Sequence, residues 1–255
     1  MEKQNIIQTT VVKDSWASLK SYTAARIALG RTGVSVPLDE SLQFKMAHAH
    51  ARDAVYSILQ KENLIEALQQ FQLAVFSLHS KAKDRQEYLQ RPDYGRRLND
   101  DSANHLQQFK SEGYNICITV ADGLSATAIN EHAVAVLREL IPELQKNNFT
   151  IAPLCLVQQG RVAISDETGF LLKAKISLIL IGERPGLSSP DSMGAYLTYK
   201  PQLGLTDESR NCISNIRPEG LQYNLAAEKI FYLIKESLRL KISGVGLKDN
   251  AGLLE

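Results

Sequence analysis

Residues 177–186, Ser-Leu-Ile-Leu-Ile-Gly-Glu-Arg-Pro-Gly, decide how the chain is read. The apolar run Ser177–Ile181 stops at Gly182, and two opposite charges, Pro185 and Gly186 follow. A short apolar run closed by turn residues predicts a strand buried on both faces, as in a parallel sheet. In open sheets of that kind, ligands sit beyond the carboxyl ends of the strands. The loop that opens at Gly182 is therefore expected to face a ligand.

Working outward, the same pattern recurs. Asn115–Ala121 is rich in Ile and Val and runs into Asp122-Gly-Leu-Ser125, whose serine can cap a following helix. That helix carries Ile129, Val134, Leu137, Leu140 and Leu144 at helical spacing. Phe149–Val157 predicts another strand, ending at Gln-Gln-Gly160, and Ala195–Tyr199 a further one; Leu225–Leu240 predicts a closing amphipathic helix. Strands alternating with helices imply a parallel sheet with right-handed crossovers. The loops holding Asp122–Ser125, Gly160–Val162 and Gly182–Gly186 should then share one sheet edge.

Before Gly113 the rhythm is helical. Leu42, Met46, Ala49, Ala54, Val55 and Ile58 mark a helix over about 39–60, and Leu64, Leu68, Phe71, Val75 and Leu78 a second. Asp100–Lys110 predicts a third. The expected fold class is α/β: an N-terminal helical domain over residues 1–105, then a Rossmann-like doubly wound parallel-sheet domain over 106–255.

Composition narrows the function classes. A net charge of +1 supplies no basic field for nucleic acid. No apolar run approaches the ~20 residues that span a bilayer, so no membrane partner is expected, and the N-terminus lacks a signal-peptide core. Cys117, Cys155 and Cys212 form no CxxC pair, which argues against a disulfide framework or a zinc knuckle. Dinucleotide, P-loop, nucleophile-elbow and HExxH motifs are absent. His48 and His50, two apart, lie on different helix faces and are assigned to packing or an interface. No metal-binding and no catalytic residue is expected.

The chain resembles the small subunit of ethanolamine ammonia-lyase. Gly182-Glu-Arg-Pro-Gly-Leu187 and Asn211-Cys-Ile-Ser-Asn-Ile216 carry the likeness, supported in order by Arg91-Pro-Asp-Tyr-Gly-Arg-Arg97, Asp122–Ser125, Gly160-Arg-Val162 and Ser243-Gly-Val245. The resemblance implies an adenosylcobalamin-dependent carbon–nitrogen lyase that converts ethanolamine to acetaldehyde and ammonia by radical chemistry. It implies a base-on cofactor held by this chain and a large barrel subunit that binds ethanolamine. An eight-unit barrel takes roughly 250 residues, so this chain cannot contain one beside its helical segment. Cofactor binding falls by resemblance on Glu183, Val162 and Cys212, with Arg161 as their neighbour.

Each of these has a plainer reading from chemistry alone. Glu183 could brace its loop or pair with Arg184. Val162 is a strand-edge apolar residue, Cys212 a buried apolar thiol, and Asp122–Ser125 a capped turn or an anion site. Cys117 and Cys155 are assigned to the core. The helical half, with Arg91–Arg97 and Ala47–Asp53, is the expected contact with the large subunit. A stand-alone cobalamin- or nucleotide-binding module is the competing reading. The expected address is cytoplasmic, within or outside a bacterial microcompartment. Ile6, Ile7, Val11 and Val12 read either as a short encapsulation helix or as a packing arm.

Overall fold

The computed structural model describes residues 11–110 and 112–248. Its centre is a six-stranded sheet ordered β1-β3-β2-β4-β5-β6. The strands are β1 (Val75–His79), β2 (Tyr114–Ala121), β3 (Leu154–Gln158), β4 (Ala174–Gly182), β5 (Met193–Tyr199) and β6 (Arg210–Ile216). The first four in spatial order are parallel, whereas β4, β5 and β6 run antiparallel. The helices are α1 (Leu38–Val55), α2 (Lys61–Leu68), α3 (Arg85–Gln90), α4 (Asp100–Gln108), α5 (Ala126–Lys146), α6 (Ile164–Leu171) and α7 (Tyr223–Leu240).

Strand alternation explains the layers. On β2, Ile116, Ile118 and Val120 join a core with α2, α5 and α7, while Cys117 and Ala121 join one with Leu106 of α4 and Ile164 of α6. Successive side chains on a strand point to opposite faces, so a sheet clad on both sides needs apolar residues at nearly every position. Cys117 and Cys155 are fully buried core thiols.

The helices α5 and α6 place the ligand edge. From β2 the chain crosses one face through α5 to β3, then returns over the other face through α6 to β4. The strand order therefore reverses between β2 and β4, and a crevice opens at such a reversal.

The α/β class and a helical N-terminal region are present, with three differences from the sequence reading. The second helix ends at Leu68, and Val75–His79 is a strand hydrogen-bonded to β3. The segment before residue 105 thus contributes an edge strand to the sheet, not helices alone. Gln72 in the left-handed region ends the helical rhythm, and the apolar spacing from Phe71 to Leu78 suits either period. Second, the sheet is mixed. No α-helix lies in the connections on either side of β5, only a three-residue 3-10 turn at Asp207–Ser209, so the chain returns as hairpins; parallel pairing needs a longer crossover. Third, Arg210–Ile216 is a strand, hidden in the sequence by its polar side chains.

The predicted first helix stops at Val55. It buries only Ala47 and Ala54 and leaves Leu38, Leu42 and Met46, four apart, more than half exposed. His48 and His50 are exposed on it, His48 edge-on to Phe44 with ring centroids 4.6 Å apart. Val12 makes a two-way backbone bridge with Arg31, so this end of the arm is extended; Ile6 and Ile7 lie outside the described residues. Among the described residues no helix is long and apolar enough to cross a membrane.

These contrasts set an expectation for stability. Leu140 in α5 is fully buried, so Leu140→Ala should cost about 2–5 kcal/mol in a chemical denaturation of the isolated chain. Leu42→Ala should fall within about 0.5 kcal/mol of the parent.

Candidate functional site

The loops that leave β2, β3 and β4 meet around a cavity of about 400 Å³. Gly123 and Leu124, Arg161 and Val162, and Gly182, Glu183 and Arg184 line it, together with Tyr88 and Tyr196. The glycines are required there. Gly123 has φ +58°, and a Cβ on it would overlap the Gly182 carbonyl oxygen. A Cβ on Gly182 would overlap the carbonyls of Asp122 and Ser125. The two backbones therefore close on each other with no side chain between.

Asp122 organises the first two loops. Its carboxylate, only 3% exposed, accepts the amides of Gln159 (2.9 Å) and Gly160 (3.0 Å). Burial raises its pKa, and the two amides and the Arg85 charge oppose that rise. Arg85 lies 3.8 Å from Asp122 and donates to the carbonyls of Val55 (2.6 Å) and Gly123 (2.8 Å) and to the Gln159 side chain (3.3 Å). Ser125 accepts the Ala128 amide as an N-cap and donates to the Pro190 carbonyl. Asp122–Ser125 is thus a braced, capped turn rather than an open anion site.

Two guanidinium groups flank one aromatic ring. Arg85 lies 4.7 Å and Arg161 4.2 Å from the Tyr88 centroid, each a cation–π contact. The Tyr88 hydroxyl donates to the Gly160 carbonyl at 3.1 Å, and burial raises its pKa well above the usual phenol range. Arg161 Nη2 donates to the Tyr88 carbonyl, while its buried Nε has no partner. The Arg161 amide donates to the Gly95 carbonyl at 2.7 Å, and Arg97 grips Glu167 of α6 through two hydrogen bonds. Residues 94–97 of the Arg91–Arg97 motif therefore support the Arg161 loop from beneath.

Glu183 organises the other side. Oε1 accepts the Ser214 hydroxyl (2.6 Å), and Oε2 accepts the Asn215 amide (3.2 Å) and the Ser192 hydroxyl. No ion pair joins it to Arg184 among the described contacts. A carboxylate has about four acceptor positions, so three internal donors leave one, on Oε1. The sixth strand thus holds Glu183 in place through Ser214 and Asn215.

Cys212 is on the same face of β6 as Ser214 by strand alternation. It pairs across the ladder with Tyr196, a cavity-wall residue. The residue is exposed on its strand; partial covering of the thiol raises its pKa, and the Glu183 charge adds to the rise. Such a thiol stays protonated near neutral pH, so it is no activated nucleophile. The Val162 carbonyl accepts both the amide and the hydroxyl of Ser165, so that group is already engaged within the chain.

Of the four residues singled out from sequence, Arg161, Val162 and Glu183 line one cavity, and Cys212 lies one strand behind its Tyr196 wall. Tyr88, Arg85, Ser192 and Tyr196 carried no sequence signal. Their roles depend on long-range packing, which single-sequence spacing does not encode.

Comparison with known proteins is consistent along nearly the whole chain. Residues 13–248 match the family model described as Ethanolamine ammonia-lyase light chain (EutC). A protein of Pseudomonas fluorescens named ethanolamine ammonia-lyase small subunit is 50% identical over 242 residues, covering 94% of this chain and 88% of the relative. The same name belongs to relatives from Xanthomonas campestris, 51% identical over 95% of this chain and 90% of its own, and Azotobacter vinelandii, 49% identical over 96% and 92%.

The geometry generates one mutational expectation. Arg85→Met removes the charge facing buried Asp122 and strands several carbonyls. Breaking a buried pair costs about 3–5 kcal/mol, so this variant should unfold at markedly lower urea, and Arg85→Lys should restore little of the loss because one ammonium cannot span the same acceptors.

Proposed function

Because the chain belongs to the ethanolamine ammonia-lyase light-chain family, we propose that it is the small subunit of an adenosylcobalamin-dependent ethanolamine ammonia-lyase and grips the cofactor at the cavity beyond β2, β3 and β4. The observation that carries this reading is the meeting of Arg161, Val162 and Glu183 in one cavity at the strand-order reversal, with Cys212 beside its wall. When bound, adenosylcobalamin supplies the radical chemistry that turns ethanolamine into acetaldehyde and ammonia.

The residues suit such a ligand. The corrin rim carries many side-chain amides, whose N–H groups can fill the one open acceptor position of Glu183 and whose carbonyls can accept from the Arg161 guanidinium. Val162 and the paired glycines offer an apolar, close-approach surface. At about 400 Å³ the cavity accommodates an edge of a corrin and not the whole, which suits a cofactor shared with a second subunit. The chain's task is then to orient the cofactor and keep water from one side of it.

Ethanolamine would bind on the large subunit. The stripe Leu38, Leu42 and Met46, with Val34 and Val36 also exposed, provides apolar surface for that partner, since stable interfaces need an apolar core. Delivery to a microcompartment would use the arm that precedes it, where Val11 and Val12 are exposed.

The decisive experiment is co-expression with a large subunit and an assay of acetaldehyde release with ethanolamine and adenosylcobalamin. The complex should be active and the isolated chain inactive; a chain that binds the cofactor yet assembles with no large subunit would favour a stand-alone binding module. In the active complex, Glu183→Gln should weaken cofactor affinity about 10- to 100-fold, since charge-assisted hydrogen bonds contribute about 1.5–3 kcal/mol. The ethanolamine KM should change much less. Unaltered cofactor affinity in that variant would restrict Glu183 to bracing β6.

A further inference from the structure

On the flank of α5, away from the cavity residues, His132 is 3% exposed, yet its Nε2 has no hydrogen-bond partner. That nitrogen points between two carboxylates, Asp191 Oδ2 at 3.5 Å and Glu131 Oε2 at 3.9 Å. The three ligand atoms lie within 4.8 Å of one another. At metal–ligand distances near 2.1 Å, tetrahedral ligand atoms stand about 3.4 Å apart, so these side chains need only small adjustments to share one ion. We propose that His132, Asp191 and Glu131 bind a single divalent cation of borderline softness, with Zn²⁺ the best chemical match.

Three further features favour an ion over an ordinary imidazole–carboxylate pair. The other ring nitrogen, Nδ1, is 2.9 Å from the Tyr223 hydroxyl. An outer partner on the second nitrogen is the usual support of a histidine ligand, because it fixes the ring and its tautomer. Asp191 divides its two oxygens: Oδ1 takes Arg217 at 3.2 Å, which leaves Oδ2 for the ion. The charges count the same way. Asp191 and Glu219 share one cation, Arg217, which is 3.2 Å from the first and 3.8 Å from the second, and Glu131 has no cationic side chain paired with it among the described residues apart from the His132 contact itself. Glu131 is exposed and gives an entry path from solvent. One imidazole with two carboxylates suits Zn²⁺ better than Mg²⁺, which prefers oxygen and water.

The site joins two elements that also share the Ser125–Pro190 hydrogen bond. His132 and Glu131 belong to α5, and Asp191 closes the loop between β4 and β5. A bound ion would pin that loop to the helix without entering the cavity. The inference does not depend on the cofactor reading.

Titration of the metal-free full chain with Zn²⁺, followed by calorimetry, tests it. One site is expected, and Glu131→Gln, an exposed change that folding should tolerate, should weaken it more than about tenfold. Asp191→Asn and His132→Gln should do at least as much, and Tyr223→Phe should lower affinity about tenfold through loss of the outer partner. Cys212→Ser and a His48→Ala/His50→Ala double variant should leave the site unchanged. Hydrogen exchange should show slower exchange over 184–191 with Zn²⁺ in the parent chain and no such slowing in Glu131→Gln. No measurable site, a site indifferent to Glu131 and Asp191, or one lost with Cys212 or His48 and His50 would overturn the proposal.

Discussion

A carboxylate buried at the end of a central strand governs this structure. Asp122 would be very costly to bury alone, since an isolated charge in a low-dielectric interior is disfavoured by many kcal/mol. It is tolerated because two amides of the next βα loop and the Arg85 guanidinium surround it. Those same bonds fix the spacing between the loops after β2 and β3. Arg85 extends the constraint to Val55, at the end of α1, and to Gly123. One charged group thus ties the helical segment, the second strand and the Arg161 loop into a single frame.

On the far side of the cavity a second carboxylate works differently. Glu183 is only partly buried, and hydroxyl and amide donors from the β5–β6 hairpin satisfy most of it. Asp122 is committed to structure, while Glu183 lines the cavity and retains one acceptor position on Oε1. The contrast separates scaffold from contact more clearly than residue type could. Between them, Arg85 and Arg161 clasp Tyr88, and of the two guanidinium groups it is Arg161 that lines the cavity.

Much of this was legible in the sequence. Strands with both faces buried announce themselves as apolar runs, so Asn115–Ala121 and Ser177–Ile181 were found within a few residues of their true ends. The serine N-cap at 125 was legible for the same local reason. The site was found because loops after parallel strands share an edge, and because the motifs of a known family fall on those loops. What stayed hidden depends on distant partners. Val75–His79 has apolar spacing that suits a helix as well as a strand, and only pairing with β3 decides between them. The Arg210–Ile216 strand is polar because it presents Cys212 and Ser214 at the surface beside Glu183. The direction of β5 follows from the missing crossover helix, a property of the connection and not of the strand itself.

The pairing of β1 with β3 also bears on how the chain is made. Val75 meets Leu154 roughly eighty positions later, and closing so long a loop is slow compared with forming a hairpin. During synthesis the first strand emerges without a neighbour and must wait for β2, α5 and then β3. The cavity needs still more of the chain, since its braces run from Arg85 to Ser214 and Asn215. A nascent or truncated product ending before the hairpin would hold Glu183 without its donors, so the ligand edge takes shape only when translation of the domain is nearly complete.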